Sequence, residues 1–396
     1  MDRTTPIGII GAGTMGMGIA QVAATAGHTT YLYDTRQEAV EKALATLAKT
    51  MATLVAKGKV PQAEADAILG RIRPAALMKE MAGCGLVIEA VVEDIAVKRK
   101  LFQDLEAKLA PGAVLATNTS SLSVTEIAAA CTRPERVLGL HFFNPAPLLP
   151  LVEVIPGLAT APEHRDACVE LMRAWGKSPV VCKDTPGFIV NRVARPYYGE
   201  SLRILEEGGA DIPTIDRAMK EVGGFRMGPF ELMDLIGNDV NYMVTRTVWE
   251  SFFYDPRYKP SFIQQRLVQA RWLGRKSGRG HYRYDANGAI VPEAPVGLAG
   301  APHSPKAPEA IVHRVVVMLI NEAVDAVHLG IATRDDIDLA MTKGVNYPKG
   351  LLRWADELGL PACLAELERL QAEYGEDRYR PSPLLRRMVR EGHTFY

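Results

Sequence analysis

The stretch IGIIGAGTMGMGIA occupies residues 7–20. It opens as a short apolar run with β-branched residues and turns at once into glycines. Gly11, Gly13 and Gly16 stand in G-x-G-x-x-G spacing, and a helical pattern follows them. A strand, a tight turn and a helix are the elements such a run can form. Gly11 permits the turn, Gly13 lets backbone approach a pyrophosphate, and Gly16 lets the helix lie close to the sheet. Thr14 and Met15 open that helix, whose N-terminus attracts phosphate charge, and they join the glycines as candidate dinucleotide contacts. Asp34 closes the next apolar run, TTYLYD at 29–34. That is the position of a ribose hydroxyl acceptor, although a turn aspartate would look the same. A carboxylate there repels a 2′-phosphate, so NAD is favoured over NADP. Arg36, close by, works against strict selectivity.

Outward from this unit, apolar runs alternate with helical patterns as far as residue 183. The runs are LVIEAVV (86–92), AVLAT (113–117), VLGLH (137–141), LVEVI (151–155) and VVC (180–182). Such alternation predicts a mostly parallel sheet covered by helices. After TPGF (185–188) helical periodicity takes over. The segment ANGAIVPEAPVGLAGAPHSPKAP (286–308) is crowded with Pro, Gly and Ala and has no period, so it reads as a linker. Beyond it the helical region repeats. At a constant offset of 122 positions Arg192 falls on Arg314, Glu200 on Glu322, Asp216 on Asp338, Gly228 on Gly350, Asp234 on Asp356 and Gly237 on Gly359, with no gap. Asn191 falls on His313. The expected architecture is an α/β Rossmann-type domain (1–184), a helical domain (185–285), the linker (286–308) and a second, degenerate helical copy (309–396).

Composition narrows the function. Among 396 residues, 46 Lys and Arg balance 46 Asp and Glu, so no global field recruits nucleic acid or an anionic membrane. Five scattered cysteines without a C-x-x-C suit free thiols in a reducing compartment, not a disulfide frame or a metal site. An apolar strand starting by Ile7 leaves no room for a signal peptide, and no apolar run is long enough to span a bilayer. A cytoplasmic protein is expected.

The stretch HFFNPAPLLPLVEVI (141–155) sets His141 beside two phenylalanines and Glu153 in an apolar run twelve residues on. A dehydrogenase that oxidises an alcohol needs a hydride acceptor and a base for the hydroxyl proton. Histidine titrates near neutrality and suits that base, and a carboxylate on its far nitrogen fixes the tautomer. Each residue also has a plain reading. His141 could be a packed core residue, Glu153 a solvent-facing strand residue, Ser120 a turn residue and Asn191 a helix cap.

The segments HFFNPAP (141–147), PLVEVI (150–155), NTSSLSV (118–124), KDTPGFIVNR (183–192) and MGPFELMDLIG (227–237) resemble, in order and spacing, the 3-hydroxyacyl-CoA dehydrogenase family. The resemblance covers 7 to about 284, and 309–396 is similar to the second helical domain of longer members. It implies NAD-dependent, reversible oxidation of an (S)-3-hydroxyacyl-CoA thioester, with His141 as base oriented by Glu153. By the same resemblance Ser120 and Asn191 donate to the substrate oxygen, in a cleft between domains. Glu93, Lys98 and Asn144 match nicotinamide-side contacts, and Lys57 and Lys276 are candidates for coenzyme A phosphates. First-turn acid, solvated lysine and Asn-Pro turn remain equal alternatives for Glu93, Lys98 and Asn144. No metal is implied. The tandem helical copy implies an internal pseudo-dimer with one active site per chain, and homo-oligomerisation stays open. Competing readings are a related hydroxy-acid or sugar-acid dehydrogenase and a non-catalytic, crystallin-like relative. HFFNP disfavours the sugar-acid branch.

Overall fold

The computed structural model describes residues 1–291 and 302–396, so the middle of the expected linker lies outside the described residues. The chain forms two compact units, Met1–Phe188 and Ile189–Tyr396.

The first unit is built on eight strands: β1 (Ile7–Ile10), β2 (Thr30–Tyr33), β3 (Ile72–Pro74), β4 (Leu86–Glu89), β5 (Val114–Thr117), β6 (Val137–Phe142), β7 (Leu151–Pro156) and β8 (Ser178–Val181). Their order is β3-β2-β1-β4-β5-β6-β7-β8. Neighbours run parallel except β6 and β7, which are antiparallel. The short β3 carries no periodicity, and no sequence pattern announced it.

Helices α1 (Thr14–Thr25), α2 (Gln37–Ala56), α3 (Gln62–Arg71) and α6 (Pro162–Ala174) cover one face. There Ile9, Ile88, Ala116, Leu138 and Leu140 meet Ile19, Leu47, Ile68 and Met172. Helices α4 (Ile95–Glu106) and α5 (Val124–Ala128) cover the other, where Val87, Leu115 and Val137 meet Phe102 and Ile127. A sheet buried on both faces explains why its strands are apolar throughout. Strand alternation then has a consequence for the polar residues. Glu89, Thr117 and His141 share the α4/α5 side with Val87, Leu115 and Val137, each near the carboxyl end of its strand.

The second unit contains α7 (Val190–Val193), α8 (Arg195–Glu206), α9 (Ile212–Glu221), α10 (Pro229–Ile236), α11 (Asn238–Ser251) and α12 (Phe262–Gln269). It continues with α13 (Pro308–His328), α14 (Arg334–Gly344), α15 (Leu351–Leu358), α16 (Leu360–Tyr374) and α17 (Pro383–Glu391). Both expected helical copies fall within this one unit. Before α13 the chain is tied back by the His303 and Lys306 amides, which donate to the carbonyls of Gly208 and Gly209. Helix α13 is buried on nearly all sides, against α8, α9, α15 and α17, and carries Arg314, Glu322 and Asp325 inside.

The sequence repeat becomes a structural one. Asp216 accepts from the Phe230 and Glu231 amides, and Asp338 accepts from those of Leu352 and Arg353. Asp234 accepts from the His281 and Tyr282 amides, and Asp356 from those of Phe395 and Tyr396. Between the copies the contacts are exchanged. Glu200 lies 3.0 Å from Arg314 Nε, 3.7 Å from Arg378 Nε and 3.0 Å from the Tyr379 hydroxyl, all in the second copy. Glu322 lies 3.4 Å from Arg192 Nε, 2.9 Å from Arg257 Nη1 and 2.6 Å from the Tyr258 hydroxyl, all in the first. Residue i of one copy meets j of the other, and j meets i, which is the signature of a two-fold contact.

Burial alone would raise the Glu322 carboxyl, but the charges of Arg257 and Arg192 outweigh it and hold the group below its ordinary range. Removing one member of such a network strands the others. Glu322→Ala is expected to cost about 3–5 kcal/mol, read as a drop in the urea midpoint, with Glu200→Ala close to it. A loss under about 1 kcal/mol in both variants would show that water or Asp325 replaces the missing carboxylate.

Candidate active site

The glycine turn can be read atom by atom. Gly11 sits at φ +102°, and a Cβ there would lie 2.5 Å from the Ala90 carbonyl oxygen. A Cβ on Gly16 would lie 1.8 Å from the Gly11 carbonyl oxygen, so Gly16 is required by the turn itself as much as by helix–sheet packing. A Cβ on Gly13 would meet nothing within 4 Å. That open side adjoins the start of α1, whose amide groups have no side-chain cap. Uncapped helix amides beside a bare glycine backbone fit a pyrophosphate. Asp34 Oδ2 accepts from the Ala12 amide at 2.9 Å and Oδ1 from that of Arg36 at 3.0 Å, which fixes the carboxylate at the end of β2. These residues therefore fit a dinucleotide on observations of their own.

Farther along the sheet, β6 and β7 pair with His141 directly opposite Glu153. Cross-strand partners project to the same side. His141 Nδ1 lies 2.6 Å from Glu153 Oε2, and Glu153 is wholly buried. A carboxylate acceptor at Nδ1 requires the hydrogen there, so Nε2 is the nitrogen that can take a proton. Phe143 and Phe188 flank the imidazole, their ring centroids 4.5 and 5.9 Å away. The packed-residue and working-pair readings of this histidine thus share one geometry: it is buried and it is paired.

The loop after β5 is anchored from two directions. Asn118 Oδ1 accepts from the Phe142 amide at 2.8 Å, which ties the loop to β6. Glu93 Oε1 accepts from the Thr119 hydroxyl at 2.6 Å and the Ser120 and Ser121 amides at 2.9 and 3.2 Å. Burial would raise the Glu93 carboxyl, but Lys98 and these hydrogen bonds hold it below the usual carboxylate range. Lys98 is not a solvated helix lysine. Its Nζ is buried 2.6 Å from Glu89 and 3.3 Å from Glu93. Glu89, wholly buried, also accepts from the Thr117 hydroxyl and the Val91 amide, each at 2.7 Å. Glu89 and Thr117 were not singled out from sequence. The signal was there, a carboxylate inside the apolar run LVIEAVV, of the same kind that marks Glu153 in LVEVI.

The remaining candidates are more dispersed. Asn144 is exposed and precedes Pro145 through a cis peptide bond. Lys57 caps the C-terminal end of α2 and is exposed. Lys276 is already engaged, 2.6 Å from Asp239. Asn191 is the second residue of α7 in the second unit. All five cysteines are free and buried.

Known proteins with this arrangement settle the family. The family model described as 3-hydroxyacyl-CoA dehydrogenase, NAD binding domain, matches residues 6–185, and that described as its C-terminal domain matches 187–284 and again 311–394. The chain belongs to the 3-hydroxyacyl-CoA dehydrogenase family. It is 40% identical to a protein of Escherichia coli (strain K12) named 3-hydroxyadipyl-CoA dehydrogenase, over 98% of each chain. It is 42% identical to the 3-hydroxybutyryl-CoA dehydrogenase of Bradyrhizobium diazoefficiens, over 70% of this chain and 94% of that one. A crystal structure titled 3-hydroxybutyryl-CoA dehydrogenase, from Escherichia coli K12, superposes with a TM-score of 0.92 at 39% identity, covering 99% of this chain and all of the other. This dehydrogenase is accordingly an NAD-dependent oxidoreductase with an NAD-binding first unit.

The glycines separate binding from folding. Gly13→Ala is expected to fold with an unchanged melting temperature while NADH affinity, read by fluorescence titration, falls at least tenfold. Gly16→Ala is expected to lower the melting temperature itself, because its Cβ meets backbone. Equal behaviour of the two variants would contradict this assignment.

Proposed function

We propose that this dehydrogenase oxidises (S)-3-hydroxyacyl-CoA thioesters to 3-oxoacyl-CoA, reversibly, with His141 as the proton-transferring group and Glu153 as its orienter. The observation that carries the reading is the buried 2.6 Å contact between His141 Nδ1 and Glu153 at the carboxyl end of β6. NAD, when bound, supplies the acceptor for the hydride that leaves C3. Nε2 of His141 takes the hydroxyl proton as the carbonyl forms, and Glu153 stabilises the resulting imidazolium. In the reverse direction Nε2 returns the proton to the oxygen. Ser120 and Asn191 are proposed as donors to that oxygen, where charge develops. The Glu89–Lys98–Glu93 chain serves as support, since it holds the 118–121 backbone that carries Ser120.

The relatives' names bracket the acyl group. One is named for a four-carbon hydroxyacyl thioester and another for the six-carbon adipyl thioester, which ends in a second carboxylate. A short acyl chain, with a terminal carboxylate accepted, is the substrate class proposed here. Other relatives, of which this chain spans about half the length, are named as fatty acid oxidation complex subunits, and their names are compatible with a thioester oxidation here.

The exchanged Glu200 and Glu322 contacts support a second proposal, that the tandem helical copies form an internal pseudo-dimer. A chain shortened to end near residue 300 would expose the α8 face. It is expected to dimerise or precipitate in size-exclusion chromatography, and a folded, soluble monomer would defeat the idea.

For the reaction, NADH absorbance is followed on adding acetoacetyl-CoA. Loss of signal is expected with the thioester and not with free acetoacetate. His141→Gln is expected to lower kcat by about 100- to 10,000-fold, and Glu153→Gln by a smaller factor in the same direction. Full activity in His141→Gln would remove His141 from the mechanism.

A further inference from the structure

Among the described residues, the buried arginines of the second unit have carboxylate partners, with one exception. Arg192, Arg257, Arg314 and Arg378 all lie within 4 Å of Glu200, Glu207, Glu322 or Asp325. Arg195 is 7% exposed and meets no carboxylate among the described residues. Its Nη1 donates to the Thr245 hydroxyl at 3.1 Å, and its guanidinium lies over the Tyr198 ring, 5.0 Å from the centroid. Its Nε has no hydrogen-bond partner among the described residues. The wall around it is polar but neutral. Thr245 donates to the Asn241 carbonyl, and Gln264 donates to Asn241 Oδ1 at 2.8 Å. Tyr347, close enough to feel the charge of Arg195, holds a buried hydroxyl that also lacks a partner among the described residues.

An arginine cannot shed its charge, so burying one without an anion costs far more than its contacts to a hydroxyl and a ring return. Burial does depress the guanidinium, with no carboxylate to oppose it. Two unpartnered donors in a neutral polar wall fit a ligand carboxylate, the acceptor that guanidinium geometry matches best.

Position tells which carboxylate. Ala194 is in αR conformation, so α7 runs almost directly into α8, and Asn191, Arg195 and Gly199 fall on one face at four-residue spacing. Asn191 and Gly199 are partly exposed, and a Cβ on Gly199 would meet nothing within 4 Å. The face therefore has open space beside the arginine. One helical turn separates Arg195 from Asn191, or roughly 5–6 Å between Cβ atoms. In an extended six-carbon dicarboxylic chain C3 and C6 are roughly 4 Å apart. A group placed to meet the C3 oxygen thus has the arginine one turn away, within reach of the terminal carboxylate. The second copy carries His313, Val317 and Asn321 at the three matching positions, so it lacks the arginine.

We propose that Arg195 is the recognition site for the terminal carboxylate of a dicarboxylic 3-hydroxyacyl thioester. This rests on the reading of the protein as an acyl-thioester dehydrogenase with Asn191 at the substrate oxygen. Its test is the ratio of kcat/KM for (S)-3-hydroxyadipyl-CoA to that for (S)-3-hydroxyhexanoyl-CoA, which differ only in a terminal carboxylate against a methyl. The full-length enzyme is expected to favour the acid on the order of 100-fold. Arg195→Met is expected to collapse that ratio to near one or below, mainly through KM for the acid, and Arg195→Lys to restore part of it. A wild-type ratio near one overturns the site even where the Met variant does not fold. So does a Met variant that keeps the wild-type ratio, since a purely structural arginine would lower both rates together. Silence of the wild-type enzyme with both thioesters overturns the dehydrogenase reading first, and the site with it.

Discussion

Glu89, Glu153, Glu200 and Glu322 expose 3% of their surface or less, and each lies within hydrogen-bond distance of a donor supplied by another element. A desolvated carboxylate without such a partner would be unaffordable. The demand for partners fixes the relation of β4 to α4, of β6 to β7, and of each helical copy to the other. It is also what makes Arg195 conspicuous, since the same rule applied to this buried cation finds no carboxylate among the described residues.

The catalytic candidates inherit this rigidity. Glu153 meets His141 because β7 is antiparallel to β6 in one register, and a slip of one residue would turn the carboxylate to the opposite face. Glu89 reaches the Ser120 loop through Lys98 and Glu93 because β4 and β5 are paired with Glu89 beside Thr117. Support of this kind lets a site hold a reactive geometry without paying for it in loop disorder. The second unit uses the same device where its two helical copies meet, in reciprocal Glu–Arg–Tyr clusters around Glu200 and Glu322.

Much of this was readable from residues alone where the determinants are local. The glycine spacing predicts the β1–α1 turn because each glycine answers a steric demand within a few residues. The ungapped offset of 122 predicts the helical repeat because both copies kept their capping aspartates and glycines. Other features were not readable. The strand at Ile72–Pro74 is too short to show alternation. Lys98 in IAVKRK looks like any solvated helix lysine until α4 is laid against β4. Arg195 in RVARPYYGE looks like a surface arginine for the same reason.

The sequence by itself determined the element types, the dinucleotide turn, the duplication and the identity of the residues able to carry acid–base chemistry. These depend on steric and periodic constraints that act within one turn or one strand. Only the tertiary structure decided which charges are buried and with whom. His141 finds Glu153 through strand register, and Arg192 finds Glu322 across 130 residues of chain. Arg195 finds no carboxylate among the described residues. Desolvation belongs to the assembled fold, because no stretch of sequence states how much water the rest of the chain will exclude.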